Sequence, residues 1–260
     1  MIFKQAILRV LTFPLVLILP ACVSDGTSPE ALSKTFESAY ITVPKDATTN
    51  GTPCASRMTG VPFACPKKID TSKKHAVLLF MHGCAGLDHR NLEAFRDTII
   101  TIAPNSFARP GRIKQCGAAT YKTSAILARL KEVHHAAERL KTLPWVDTSR
   151  LFLGGFSEGG ITTANYEGDE FIGRIILGWP CYSGLGMNGI SGPDDTPVLA
   201  VMGGRDKYHR SASKVGRDCG EYFGNRPHSR SLIIPDGTHN IVTLPETREA
   251  IEHFISTVAP

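Results

Sequence analysis

The chain has little that would tie it to a membrane-spanning, metal-binding or nucleic-acid-binding role. No apolar run among its 260 residues reaches the ~20 that a spanning helix needs. No self-similar period marks a repeat protein. The C-x₂-C and H-x₃-H spacings of zinc sites are missing, so no metal is expected. The adjacent His134 and His135 lie in a strongly helical stretch, where neighbours point about 100° apart and do not converge on one ion. Charge of one sign is scarce as well. The formal charge is +5, but taking Lys4 and Arg9 as part of a removable leader leaves 27 basic against 24 acidic side chains. That balance selects neither nucleic acid nor an anionic surface as partner. Length and ordinary apolar content fit one globular domain rather than two.

What is present begins at the N-terminus. Residues 1–21 place Lys4 and Arg9 before the apolar run 10–19 and end in a small residue, Ala21, the layout of a secretory signal peptide. Leu19, Pro20, Ala21 and Cys22 resemble the lipobox of bacterial lipoproteins, in which the cysteine is lipidated on sulfur and becomes the mature N-terminus. Pro20 stands where that motif usually has a small or aliphatic residue. The expectation is a lipid on Cys22, a polar tether over 22–36 and a domain over 37–260, held on a membrane of the bacterial envelope and facing the periplasm. Soluble export is the alternative. Six further cysteines follow, Cys54, Cys65, Cys84, Cys116, Cys181 and Cys219. An even number in an oxidising compartment favours disulfides over free thiols.

Beyond the tether, Tyr40-Ile-Thr-Val43 alternates as a strand does, and the Pro/Gly/Thr/Lys-rich 45–74, with Cys54 and Cys65, reads as a stapled loop or hairpin. From there short apolar runs alternate with helical patterns, the mark of a mostly parallel sheet flanked by helices. Strands are expected at 76–81, 98–103, 150–156, 172–179, 197–202 and 231–234. Ile126, Leu127, Leu130, Val133, Ala137 and Leu140 recur at helical spacing, and so do Ile251, Phe254 and Ile255. Only about 17 residues separate Trp179 from Pro197, and they are without helical period, so no substantial helical lid is expected there.

Gly155-Phe-Ser157-Glu-Gly159 fits G-x-S-x-G and falls where a strand gives way to a helix, the context of a nucleophile elbow. A serine hydroxyl is a poor nucleophile until a base takes its proton. In chain order nucleophile, acid, histidine, His239 follows the last strand, whereas His228 precedes it and His253 lies inside the final helix. Asp206 follows the strand 197–202, while Asp194 and Asp195 precede it and Asp218 falls beyond. A carboxylate at Asp206 would hold the His239 tautomer and stabilise its imidazolium. The amides of Cys84 and Glu158 are the expected oxyanion donors, with His82 bracing the His82-Gly-Cys-Ala-Gly86 turn rather than reacting. Trp179, Tyr182 and Tyr208 fall on loops where they would line an acyl or alcohol pocket.

These segments, together with Pro104-Asn-Ser-Phe-Ala-Arg-Pro-Gly111 and Gly155-Phe-Ser-Glu-Gly-Gly160, resemble the dienelactone hydrolase branch of the α/β-hydrolases from about Lys74 to the C-terminus. Members named for dienelactone cleavage carry cysteine in the elbow. With Ser157 in its place, the resemblance implies a serine carboxylesterase acting on small esters without a cofactor. A peptidase or amidase of the prolyl-oligopeptidase type, or an envelope lipoprotein that keeps the fold without activity, are the alternatives. In that fold the strands 76–81 and 98–103 lie side by side, so their following loops bring Cys84 towards Cys116, with Cys54–Cys65 and Cys181–Cys219 as the accompanying pairs. Buried free thiols, or another partner for Cys84, remain the alternative. For the leader, phase partitioning is the check: intact protein should enter a detergent phase and Cys22→Ser should stay in water, whereas equal partitioning of both contradicts lipidation.

Overall fold

The computed structural model describes residues 26–59, 65–116, 123–182, 187–209 and 217–259. The signal peptide expected over 1–21 and the lipidation site expected at Cys22 lie outside the described residues. The strands are β1 (Tyr40–Val43), β2 (Cys54–Arg57), β3 (His75–Met81), β4 (Ile100–Ala103), β5 (Val146–Phe156), β6 (Gly173–Leu177), β7 (Val198–Gly203) and β8 (Arg230–Ile234). They form one sheet in the order β2-β1-β4-β3-β5-β6-β7-β8. β1 runs antiparallel to both of its neighbours and every other pairing is parallel.

Five α-helices are described: α1 (Pro29–Glu37), α2 (His89–Glu93), α3 (Thr123–Lys141), α4 (Glu158–Asn165) and α5 (Pro245–Val258). The sheet is covered on both faces, which is why its central strands read as continuous apolar runs. In β3 the period of two sends Val77, Leu79 and Met81 into one core with Phe36, Val133, Ala137 and Leu140, and Leu78 and Phe80 into another with Ile251, Phe254 and Ile255. Each such fully buried side chain contributes roughly 1.5–3 kcal/mol.

Two sequence expectations are corrected here. The stretch expected as a tether over 22–36 contains α1, which is docked on the domain: Ser28 Oγ accepts the Ala31 amide at 3.3 Å, Pro29 occupies the first turn, and Phe36 is buried. Ser-Pro-Glu is a helix-start signal, and the apolar pair Ala31 and Phe36 gives the helix a face to bury. Leu127, placed on the buried face of α3, is instead 53% exposed. The buried stripe runs through Ile126, Arg129, Val133, Ala136 and Leu140, and Leu127 lies about 100° off it.

The cysteines join as Cys54–Cys65, Cys84–Cys116 and Cys181–Cys219, with Cα separations of 5.6, 5.3 and 4.9 Å. Three disulfides fit an exported protein. Among the described residues no helix is long and apolar enough to cross a membrane. Because β3 to β8 run parallel, the turns that follow them emerge at one edge, where ligands of open α/β sheets bind.

Candidate active site

Ser157 occupies the turn from β5 into α4 with φ 57° and ψ −113°. A non-glycine residue there carries backbone strain, which the ladder restrains: the Ser157 amide donates to Leu177 O at 2.8 Å and Ser157 O accepts from the Ile161 amide at 3.0 Å. The flanking glycines answer to close approach. A Cβ at Gly159 would lie 1.8 Å from Met81 O, and one at Gly155 would lie 2.3 Å from Gly159 O.

Asp206 and His239 come from the turns after β7 and β8, which are tied together. The Gly204 amide donates to Ile234 O and the Arg205 amide to Gly237 O, each at 2.8 Å. The Asp206 side chain is fully buried, and its Oδ1 accepts the Tyr208 amide at 2.9 Å. Its Oδ2 lies 2.5 Å from His239 Nδ1, and His239 Nε2 lies 2.9 Å from Ser157 Oγ. A carboxylate at Nδ1 fixes the proton on that nitrogen and leaves Nε2 to accept from the hydroxyl. Phe156 and Tyr208 flank the imidazole at ring-centre distances of 4.9 and 4.5 Å.

Opposite Ser157, β3 runs into the turn carrying Cys84, pinned by its disulfide to Cys116. Neither the Cys84 nor the Glu158 amide meets an acceptor among the described residues. His82 is buried; its Nδ1 donates to Gly83 O at 2.7 Å and its Nε2 accepts the Ser106 amide at 3.1 Å. Burial, and then the nearby Arg129 guanidinium, hold its pKa well below the usual histidine value. Of the expected pocket aromatics, Tyr208 stands beside His239. Trp179, just past the positive-φ Gly178, is instead buried against Ala164, Ile176 and Cys181, an apolar indole finding apolar neighbours. Tyr182 stacks under the Arg217 guanidinium at 4.5 Å.

A buried charge cluster behind the two turns was not anticipated. Arg112 Nη2 meets Glu158 Oε1 at 2.5 Å, Arg129 Nη1 lies 3.7 Å from the same oxygen, and Arg109 Nε meets Glu132 Oε1 at 2.6 Å. Ser106 Oγ bridges Arg129 Nη1 and Glu132 Oε2, each at 2.5 Å. All five charged side chains are at most 4% exposed. The available signal was spacing: Arg129 and Glu132 are three apart, with Arg129 three after Ile126, on the side of α3 that faces inward.

No protein-family model matches the chain, and no curated protein is recognisably similar to it in sequence. Solved structures do match in shape. Est1E from Butyrivibrio proteoclasticus aligns over 84% of this chain and 93% of its own, with 16% identity and a TM-score of 0.51. A protein described as a dienelactone hydrolase from Klebsiella pneumoniae subsp. pneumoniae aligns over 85% and 98%, with 14% identity and a TM-score of 0.50. A protein described as a dipeptidyl aminopeptidase IV from Bacteroides ovatus aligns over 85% of this chain but 36% of its own, with 17% identity and a TM-score of 0.51. The chain has the α/β-hydrolase fold.

The depressed His82 pKa carries a sign. Between that value and the unfolded value of about 6.5 the unfolded chain binds a proton that the native one refuses, so stability is full above about pH 6.5 and falls on acidification. Urea unfolding from pH 7 to pH 5 should show a larger loss for the parent than for His82→Asn. Equal slopes would contradict a neutral His82.

Proposed function

We propose that the protein is a serine hydrolase that cleaves carboxylic ester bonds of small molecules through an acyl-enzyme. The observation that carries this reading is the unbroken row Asp206 Oδ2, His239 Nδ1, His239 Nε2 and Ser157 Oγ, with separations of 2.5 and 2.9 Å, at the carboxyl edge of the sheet. Ser157 Oγ attacks the ester carbonyl while His239 Nε2 takes its proton, and buried Asp206 stabilises the imidazolium so formed. Negative charge gathers on the carbonyl oxygen, to which the Cys84 and Glu158 amides donate. Collapse of the tetrahedral adduct releases the alcohol, protonated by His239. Water, activated by the same imidazole, then attacks the acyl carbon and frees the acid and Ser157.

Esters are favoured over peptides because the resemblance in the motif segments is to an ester-cleaving branch. The peptidase reading draws on the third structural likeness, whose alignment spans 36% of that protein. Cys22 would carry a lipid that keeps the enzyme at the envelope, with the three disulfides suited to the periplasmic side.

Steady-state kinetics on 4-nitrophenyl acetate and on an aminoacyl 4-nitroanilide tests the proposal. The ester should be turned over and the anilide poorly. Ser157→Ala should lower kcat by about 10³-fold or more while retaining a cooperative unfolding transition. Residual activity within about tenfold of the parent would remove Ser157 as nucleophile.

A further inference from the structure

The buried charge cluster sits against both segments that would hold the oxyanion, and one side chain spans them. Arg129 Nη2 donates to His82 O at 2.8 Å, fixing the peptide that leads into the Cys84 turn. Through Nη1 it faces Glu158 Oε1 at 3.7 Å, the side chain of the residue whose amide opens α4. Arg112, held to the same Glu158 oxygen at 2.5 Å, lies on the loop that Cys116 ties back to Cys84. The contacts therefore close a ring: Cys84 turn, Arg129, Glu158, Arg112, Cys116 and back to Cys84.

Stability alone is a weak account of this arrangement. Burying an ion pair commonly gives no more stability than well-packed apolar residues of the same volume, and α3 elsewhere meets the core through Ile126, Val133, Ala136 and Leu140. Among the described residues the charges also do not balance: three guanidinium groups, Arg109, Arg112 and Arg129, face two carboxylates, Glu132 and Glu158. Behind a site where an oxyanion develops, a fixed surplus of positive charge in a dry environment favours the charged intermediate over the neutral ground state.

We infer that Arg129 is a positioning residue for ester hydrolysis: it never touches substrate, but by bonding His82 O and facing Glu158 it sets the two oxyanion donors at one spacing and adds positive charge behind them. This rests on the ester-hydrolase reading. Its consequence is selective for the transition state, because substrate in the ground state makes little use of that spacing.

The test compares the parent, Arg129→Lys, Arg129→Met and Ser106→Ala in the full chain. Ser106→Ala keeps every charge and removes only the hydroxyl that links Arg129 to Glu132, so it reports even where Arg129→Met does not fold. Three readouts are taken per folded molecule: kcat and KM on 4-nitrophenyl butyrate, and the inhibition constant of an aryl trifluoromethyl ketone, which serine converts to an oxyanion-bearing hemiketal. Arg129→Met should lose about 10- to 100-fold in kcat with KM changed less than about threefold, below the 10²- to 10³-fold of a whole oxyanion donor. Ketone affinity should fall in parallel, Arg129→Lys should recover part of both, and Ser106→Ala should fall between Lys and parent. A structural role alone predicts lower melting temperatures with kcat and ketone affinity unchanged, and that result overturns the inference while leaving the esterase reading intact. A parent inactive on the ester, or activity that survives Ser157→Ala, overturns both.

Discussion

The site depends on one backbone constraint, the positive φ of Ser157. Holding a serine at φ 57° costs on the order of 1–3 kcal/mol, and the surroundings must over-determine it. They do so by contact too close for side chains: Gly159 sits where any Cβ would overlap Met81 O, so β3, β5 and α4 meet almost backbone to backbone. That approach places the turn after β3 directly against the start of α4. Sheet packing thus brings the Cys84 turn up to the start of α4, and the Ser157 hydroxyl is left facing His239 Nε2.

The same crowding explains what surrounds the elbow. A turn that small has no room for its own stabilising side chains, so rigidity is supplied from behind, by Arg129 on α3 and Arg112 on the loop after β4, and from the side by the Cys84–Cys116 bridge. On the other flank the Asp206 and His239 turns are laced together through Gly204 and Arg205 amides, which sets the imidazole at hydrogen-bonding distance from Ser157. Ser157, Asp206 and His239 thus each hang from a strand end, and their neighbours restrain them.

How much of this was legible follows from what each residue's signal is made of. The parallel sheet could be read because strands buried on both faces need unbroken apolar runs, and 76–81 or 151–156 have them. Ser157, Asp206 and His239 could be placed because each follows such a run, and the order of strands puts all three at one edge. Contacts between distant side chains left no such trace. Arg129 and Glu132 look like ordinary surface charges until Arg109, Ser106 and Glu158 are brought around them. Leu127 was assigned inward with the helical repeat of apolar residues, although it lies about 100° around the helix from Ile126 and is exposed. The helix Pro29–Glu37 lay in a segment whose Ser, Thr, Gly and Pro content suggested a tether, yet Phe36 gave it a core to join. Trp179 was taken for a pocket wall because it falls on a loop at the carboxyl edge, yet just past the positive-φ Gly178 it is buried in the core.

The central claim is that Ser157 is a nucleophile activated by His239, and covalent labelling tests it without any knowledge of the natural ester. The protein is treated with a fluorophosphonate at neutral pH, digested, and the modified peptide located by mass spectrometry. The account predicts a single phosphonyl adduct on Ser157, formed rapidly in the parent and slowed by orders of magnitude in His239→Ala. An adduct on another residue, or equal labelling rates with and without His239, would contradict it.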